Sequence, residues 1–341
     1  MSAGLHDLLS GRTVLVTGAG GSIGSELCHQ VAALEPSRLL LLGHGENPIF
    51  ELDLLLKERF PALLVVPIIA DIRDRARLGS IFARYQPGVV FHAAAHKHVP
   101  LMEDHPIEAV TNNVLGTLHV VELSAHHDVM HLALVSTDKA VRATSVMGAT
   151  KRVAEQIVQH AARRHRRHFV SVRFGNVIGT RGSVVPIFQR QIESGGPVTV
   201  THPGMRRYFM TCPEAVGLVM QAAALGQGGE IFLLDMGQPV SIMQLAETMI
   251  RQAGKQPGRD IAIEVTGIRH GEKLYEEPYF STGEAVPTGM AGILRARATR
   301  LPPRFVTRLR ALLRAAGRGA PDDELRGCLA ELVADYAPRA G

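Results

Sequence analysis

Ser136-Thr137-Asp138-Lys139 sets two hydroxyls, a carboxyl and an ammonium in consecutive positions at the end of an apolar run. Removing water across two carbons requires one group to take a carbon-bound proton and another to protonate the departing hydroxyl. Asp138 and Lys139 can supply both, provided burial or neighbouring charges draw their pKa values toward neutrality. Elsewhere such a pair would read as a surface ion pair opening a loop. At the carboxyl end of a parallel strand, where such folds bind ligands, it reads as chemistry. Further on, Met147 and Lys151 stand four apart in a helical pattern and share a face. Met147 cannot transfer a proton.

A second constellation lies near the start of the chain. Gly18-Ala19-Gly20-Gly21-Ser22-Ile23-Gly24 follows one apolar run and opens a helical pattern. Gly18 permits a tight turn, Gly21 lets the backbone approach a pyrophosphate, and Gly24 lets helix and strand pack closely. The helix N-terminus then offers unpaired amides and a positive dipole end to phosphates. A glycine trio alone is weak evidence, but the flanking strand and helix make a merely structural turn the minority reading. Asp71, after a third apolar run, is placed to accept from an adenine amino group. Glu46, in Gly43-His44-Gly45-Glu46-Asn47, is the candidate for the ribose hydroxyls, which favours NAD. NADP stays open, because Glu46 could equally cap the next helix.

These residues need a scaffold, and apolar periodicity supplies one. Strands are predicted at Val14–Val16, Arg38–Leu42, Leu64–Ile69, Val89–His92, Leu132–Ser136 and Phe169–Arg173. Helices are predicted at Ser25–Ala33, Phe50–Arg59, Glu108–Ser124 and Val146–Arg163. Continuous apolar strands alternating with amphipathic helices predict an α/β, doubly wound parallel sheet. Residues 1–175 are read as a Rossmann-like dinucleotide-binding domain. Residues 176–341 are read as mainly a smaller substrate lobe, with segments returning to the main domain and a two-helix tail over Pro302–Tyr336.

Composition narrows the class. A net charge of +5 is mild, and the arginine-rich stretches Arg163–Arg167 and Arg295–Arg314 lack the interleaved aromatics of a nucleic-acid surface. The modest positive balance suits a diphosphate ligand. Three cysteines without paired spacing offer neither a disulfide framework nor a zinc site, and the histidine clusters lack carboxylate partners, so no metal is expected. The apolar runs are too short for a spanning helix and no leader opens the chain, so the reading is a soluble, cytoplasmic protein.

The motifs together closely resemble the polysaccharide-biosynthesis nucleotide-sugar 4,6-dehydratases of the extended short-chain dehydrogenase superfamily, and among them the group with methionine in place of the catalytic tyrosine. The resemblance is carried by Val14–Leu27, Phe91–Pro100, Asn112–Thr117, Ser136–Val141, Val146–Arg152, Arg173–Val177, Arg207–Thr211 and Gly271–Glu277, and it runs nearly end to end. It implies the conversion of UDP-N-acetylglucosamine to a 4-keto-6-deoxy sugar, with configuration retained at C5. It also implies a homo-oligomer, often formed through a helix pair beside the active site. Many relatives carry membrane helices ahead of the module.

Mapped onto this chain, the resemblance implies that C4 gives its hydride to NAD, Lys139 removes the C5 proton and Asp138 protonates the leaving C6 hydroxyl. Thr137 would hold the C4 oxygen and Lys151 the cofactor ribose, with Met147 at the tyrosine position. Cofactor contacts would come from Gly18, Gly20, Gly21, Ser22, Ile23, Gly24, Glu46, Asp71, Ile72, Ala93, Ala94, Ala95, Asn113 and Lys151. Lys97 and His98 would face the sugar, Asn176 the diphosphate, and Arg207 and Arg269 would clamp phosphates. Glu272 would accept from the uridine ribose, and Ser183, Val184, Thr199 and Thr201 would form the uracil wall.

His96, Gly43 and His270 depart from the family pattern, which leaves room for another hexose. Two alternatives remain. A nucleotide-sugar 4-epimerase would share fold and cofactor but would need the tyrosine and not the acid–base pair. A catalytically silent NAD and UDP-sugar binding protein would explain Met147 but not the intact Asp138-Lys139.

Overall fold

Runs of Val, Leu and Ile too apolar for a one-sided sheet demand cover on both faces. The computed structural model, which describes residues 3–277, 285–297 and 300–338, forms them into β1 (Thr13–Thr17), β2 (Arg38–Gly43), β3 (Val65–Ile69), β4 (Val89–His92), β5 (His131–Val135) and β6 (His168–Arg173). Their spatial order is β3-β2-β1-β4-β5-β6, all parallel. This is the predicted doubly wound sheet. The strand order reverses between β1 and β4, which opens a crevice at their carboxyl ends. Alternating side chains feed a core on each face: Leu15, Leu40 and Leu42 enter one, Val14, Val16, Leu39 and Leu41 the other.

The helices differ from expectation in several places, three of them instructive. The helix predicted from Phe50 begins at Glu46, because Pro48 falls in the first turn, where its missing N–H would have had no partner anyway. A helix over Arg75–Tyr85, capped by Asp74, was not predicted, since charge dilutes its apolar stripe of Leu78, Ile81 and Phe82. The helix expected over Glu108–Ser124 is three pieces, Pro106–Ala109, a π-helical segment Val110–Gly116 and Thr117–His126. Such wide turns often sit at functional sites.

Much of the second half returns to the main sheet. Ile231–Leu234 adds a parallel strand beside β6, and Ile293–Ala296 and Ala285–Pro287 extend it antiparallel. The elements Val184–Glu193, Val198–Val200, Ile242–Gln252 and Ile263–Val265 form a lobe with its own small core around Phe188, Val200 and Ile250.

The tail helices Phe305–Gly317 and Asp322–Leu332 pack over the long helix Val146–His165, whose side chains are buried along most of its length. Gln156 Nε2 donates to Leu332 O at 2.9 Å, and Ala337 N donates to Ala143 O at 3.0 Å. The helix beside the site, where analogy placed a subunit contact, is therefore covered by the chain's own tail. Among the described residues no helix is long and apolar enough to cross a membrane.

Candidate active site

At the switch point the glycine turn is built for close approach. Gly18 has φ +68°, and a Cβ there would lie 2.7 Å from Ala94 N. A Cβ on Gly24 would lie 2.1 Å from Gly18 O, so helix and turn touch through backbone. The helix Ser22–Ala32 has no side-chain cap at Gly21, which leaves its first amides facing the crevice. Gly20 packs against Pro48, and Ser22 Oγ accepts from Arg181 N at 3.1 Å. Ile23, Ala93 and Ala95 line the adjoining chamber, and Ile72 packs under Gly116. Asp71 is clamped by Arg73, whose guanidinium holds its carboxyl below the usual range. Glu46 is exposed on the first turn of its helix. An uncapped helix end, glycines where a Cβ would clash and an acid after β3 fit a dinucleotide.

Asn113 requires a correction. Its Oδ1 accepts from His96 N and Asn112 Nδ2, and its Nδ2 donates to His96 O and Thr150 Oγ1. Every hydrogen-bonding position is used, so Asn113 braces the loop after β4 against the long helix rather than offering itself to a cofactor. Beneath it, buried His92 bridges Thr17 Oγ1 at 2.6 Å and Thr117 Oγ1 at 2.9 Å.

The crevice opens into a chamber of about 390 Å³ between sheet and lobe. Its floor carries Thr137, Lys139, Met147 and Lys151. Lys151 Nζ donates to Val135 O at 2.8 Å, and burial pushes its pKa down to about 8 against a smaller opposing pull from Glu155. Gly148 lets the long helix meet the catalytic turn, since a Cβ there would lie 2.2 Å from Lys139 O.

Asp138 does not line the chamber. It is 2% exposed, because the short 3-10 turn Asp138–Ala140 sends its side chain behind Lys139. Its Oδ1 accepts from Thr137 Oγ1 at 2.9 Å and from Lys139 Nζ at 2.9 Å. Its Oδ2 is buried without a hydrogen-bond partner among the described residues, beside a pinhole of about 10 Å³ bordered by Gly175, Tyr208 and Leu233. Asp138, expected to face the sugar, is thus turned away from the chamber, with Thr137 and Lys139 between it and that space.

Lys139 also touches Asn176 Oδ1 at 3.5 Å and Glu276 Oε1 at 3.5 Å. Burial alone would lower its pKa, but Asp138 and Glu276 outweigh burial and raise it. Glu276 was not singled out in the sequence.

On the lobe side, Lys97 reaches Thr180 Oγ1 at 3.5 Å, and burial, then Lys139, lowers its pKa. His98 packs over Gly182, its pKa lowered by burial and then by Lys97. Ser183, Val184, Thr199 and Thr201 share one wall. Ser183 Oγ is buried without a partner, whereas Thr199 Oγ1 accepts from Gln191 Nε2 at 2.8 Å.

Arg207 is tied into the fold at the edge of the chamber. Its guanidinium donates to Arg206 O, Leu274 O and Lys273 O, and its Nε faces Glu276 at 3.8 Å. These bonds pin the Lys273–Glu276 loop with part of the fork, and Arg207 also lines the chamber. Arg269 lines the chamber and its side chain has no ion pair among the described residues; Glu272 Oε2 accepts from Arg269 N at 3.2 Å.

Comparison with known proteins bears on this geometry. The family model described as "Polysaccharide biosynthesis protein" matches residues 14–298. The capsular polysaccharide biosynthesis protein CapD of Staphylococcus aureus is 55% identical over 271 residues, covering 79% of this chain and 45% of the relative. The probable polysaccharide biosynthesis protein EpsC of Bacillus subtilis is 55% identical over 274 residues, covering 80% of this chain and 46% of the relative. The chain thus spans under half the length of both. A UDP-glucose 4-epimerase of Rickettsia canadensis is 32% identical over 272 residues, covering 78% of this chain and 76% of the relative.

Among solved structures, Pen from Bacillus thuringiensis superposes with a TM-score of 0.77 at 33% identity, covering 85% of this chain and 89% of that one. DesIV, a dTDP-glucose 4,6-dehydratase from Streptomyces venezuelae with NAD and DAU bound, has a TM-score of 0.66 at 18% identity, covering 79% and 87%. At that identity it shares the fold.

Proposed function

The chain belongs to the polysaccharide biosynthesis protein family, and from that premise we propose that it is an NAD-dependent UDP-N-acetylglucosamine 4,6-dehydratase. The observation that carries the reading is Lys139 on the chamber floor, backed by Asp138 and Thr137, beside the crevice that fits a dinucleotide. NAD, when bound, supplies the acceptor for the C4 hydride and its donor to C6.

The chain's own residues do the proton work. Thr137 already donates its hydroxyl hydrogen to Asp138 Oδ1, so a C4 hydroxyl that donates to Thr137 passes its proton through it to Asp138. The new ketone acidifies C5, and Lys139 as a neutral amine takes that proton. Asp138 then returns its proton through Thr137 to the leaving C6 hydroxyl, and water departs. Once C6 is reduced, the Lys139 ammonium, whose other hydrogens come from solvent, protonates C5 from the same face, which retains configuration. Lys151 and the amides of the glycine turn hold the cofactor, and Arg269 reaches toward the diphosphate. The single relay of Thr137 and Asp138 replaces a phenol at Met147.

The test is incubation with UDP-N-acetylglucosamine in deuterated water, read by proton NMR. A C6 methyl signal with deuterium at C5 is expected. A changed C4 coupling would instead establish 4-epimerisation, the second reading, which the Rickettsia relative's name favours and Met147 disfavours. Unaltered substrate would leave a binding protein.

A further inference from the structure

Glu276 is a buried ionisable group of the chamber that these roles leave unused. Its side chain is 3% exposed, with Oε1 3.5 Å from Lys139 Nζ and 3.8 Å from Arg207 Nε. It lines the chamber, and its Oε2 is buried without a hydrogen-bond partner among the described residues. An oxygen that accepts no hydrogen bond can take a proton without giving one up.

The base role creates a matching need. Lys139 faces Asp138, Glu276 and Arg207, with Lys97 and Lys273 within electrostatic reach and Glu277 acting on Lys273. The two nearest carboxylates favour its ammonium form, which cannot remove a proton from carbon.

We propose that Glu276 is the proton store of Lys139: in the substrate-filled chamber the ammonium hands one proton to Glu276, and the resulting neutral amine takes the C5 proton. One N–H bond breaks, its electron pair stays on nitrogen, and one O–H bond forms on Glu276. After Lys139 has protonated C5, Glu276 gives its proton back, so none is gained or lost. Asp138 cannot be this store, because the proposed relay needs it ionised to take the C4 hydroxyl proton through Thr137. Among the described residues Glu276 accepts nothing nearer than the 3.5 Å contact. It acts on the substrate only through Lys139, and the inference rests on the dehydratase reading.

The consequence is a pH signature. The ammonium–carboxylate pair and the amine–carboxylic acid pair hold the same number of protons, so their ratio is independent of pH. Without Glu276 the reactive form holds one proton fewer than the resting form. The ratio of kcat/KM for Glu276→Gln to that of wild type is therefore expected to rise about tenfold per pH unit between about pH 5.5 and 7.5. Glu276→Asp should keep the wild-type profile. A ratio constant with pH, whether near one or uniformly low, overturns the proposal.

The pH dependence of Lys139 acylation in the NAD-saturated protein, read by mass spectrometry, gives an arm that needs no turnover. Glu276→Gln should lower the pH at which Lys139 becomes reactive by about one unit, and an unchanged profile overturns the coupling. A wild type that shows this coupling but forms no methyl product overturns the dehydratase reading and not the coupling.

Discussion

Asp138 Oδ1 sits 2.9 Å from Lys139 Nζ, yet of these two neighbours Lys139 alone lines the chamber. Adjacent residues on a tight turn point apart, so one meets the sugar and the other acts from behind it. Asp138 and Thr137 then form a single relay. Thr137→Val and Asp138→Asn are each expected to lower kcat by about 10²–10³-fold with KM little changed. The double variant should be no worse than either single one, as residues acting as a unit are non-additive. Steady-state kinetics on the three proteins decide it, and multiplicative losses would show two independent roles.

The glycine turn allows a stability test free of chemistry. A Cβ on Gly24 would lie 2.1 Å from Gly18 O and 2.9 Å from Ala19 Cα, both backbone, so no side chain can yield. Gly24→Ala is expected to cost about 1–3 kcal/mol and to weaken NAD binding by displacing the helix end. Urea unfolding and a fluorescence titration with NAD measure the two. A variant as stable as wild type would mean that the turn relaxes freely.

The parts of this site that could be read in the sequence are those whose geometry is local. The turn from Gly18 to Gly24 and the strand end at Ser136–Lys139 depend on neighbours in the chain, and period and spacing express such relations. Direction on a turn is not expressed there, which is why Asp138 was expected in the chamber. Glu276 meets Lys139 only because Arg207 pins the Lys273–Glu276 loop through backbone carbonyls, and no spacing rule joins residues so far apart. The family resemblance implied ligand contacts for Arg207 and Asn113. Their partners here are backbone and side-chain atoms of the fold itself. The Arg75–Tyr85 helix escaped notice because its charged residues hide a stripe that only packing reveals.

Lys151 sets stability against function. Burial lowers its pKa from 10.5 to about 8, so between those values the unfolded chain binds more protons and stability rises with pH. Below pH 8 the charged form is paid for in full, at about 3 kcal/mol. Lys151→Met is therefore expected to be more stable than wild type at neutral pH, with the gap closing as pH climbs toward 10, while NAD affinity falls. Chemical denaturation across that range checks the first point, and a gap that does not vary with pH would refute the linkage.

His92 predicts the opposite limb. Burial, and then Lys151, lowers its pKa from 6.5 to about 3, and the hydroxyls of Thr17 and Thr117 hold the neutral ring between them. Between those values the unfolded state binds a proton that the folded state refuses, so stability drains away as pH falls below 6.5. The loss amounts to about 1.4 kcal/mol per pH unit. His92→Gln keeps a polar group between the two threonines and cannot charge. It should start less stable at pH 7 because its bonds are poorer, yet lose about 2–3 kcal/mol less than wild type on acidification to about pH 4.5. Urea denaturation at several pH values measures both slopes. Parallel slopes would mean that the ring is hydrated in the folded protein and that its burial exerts no linkage.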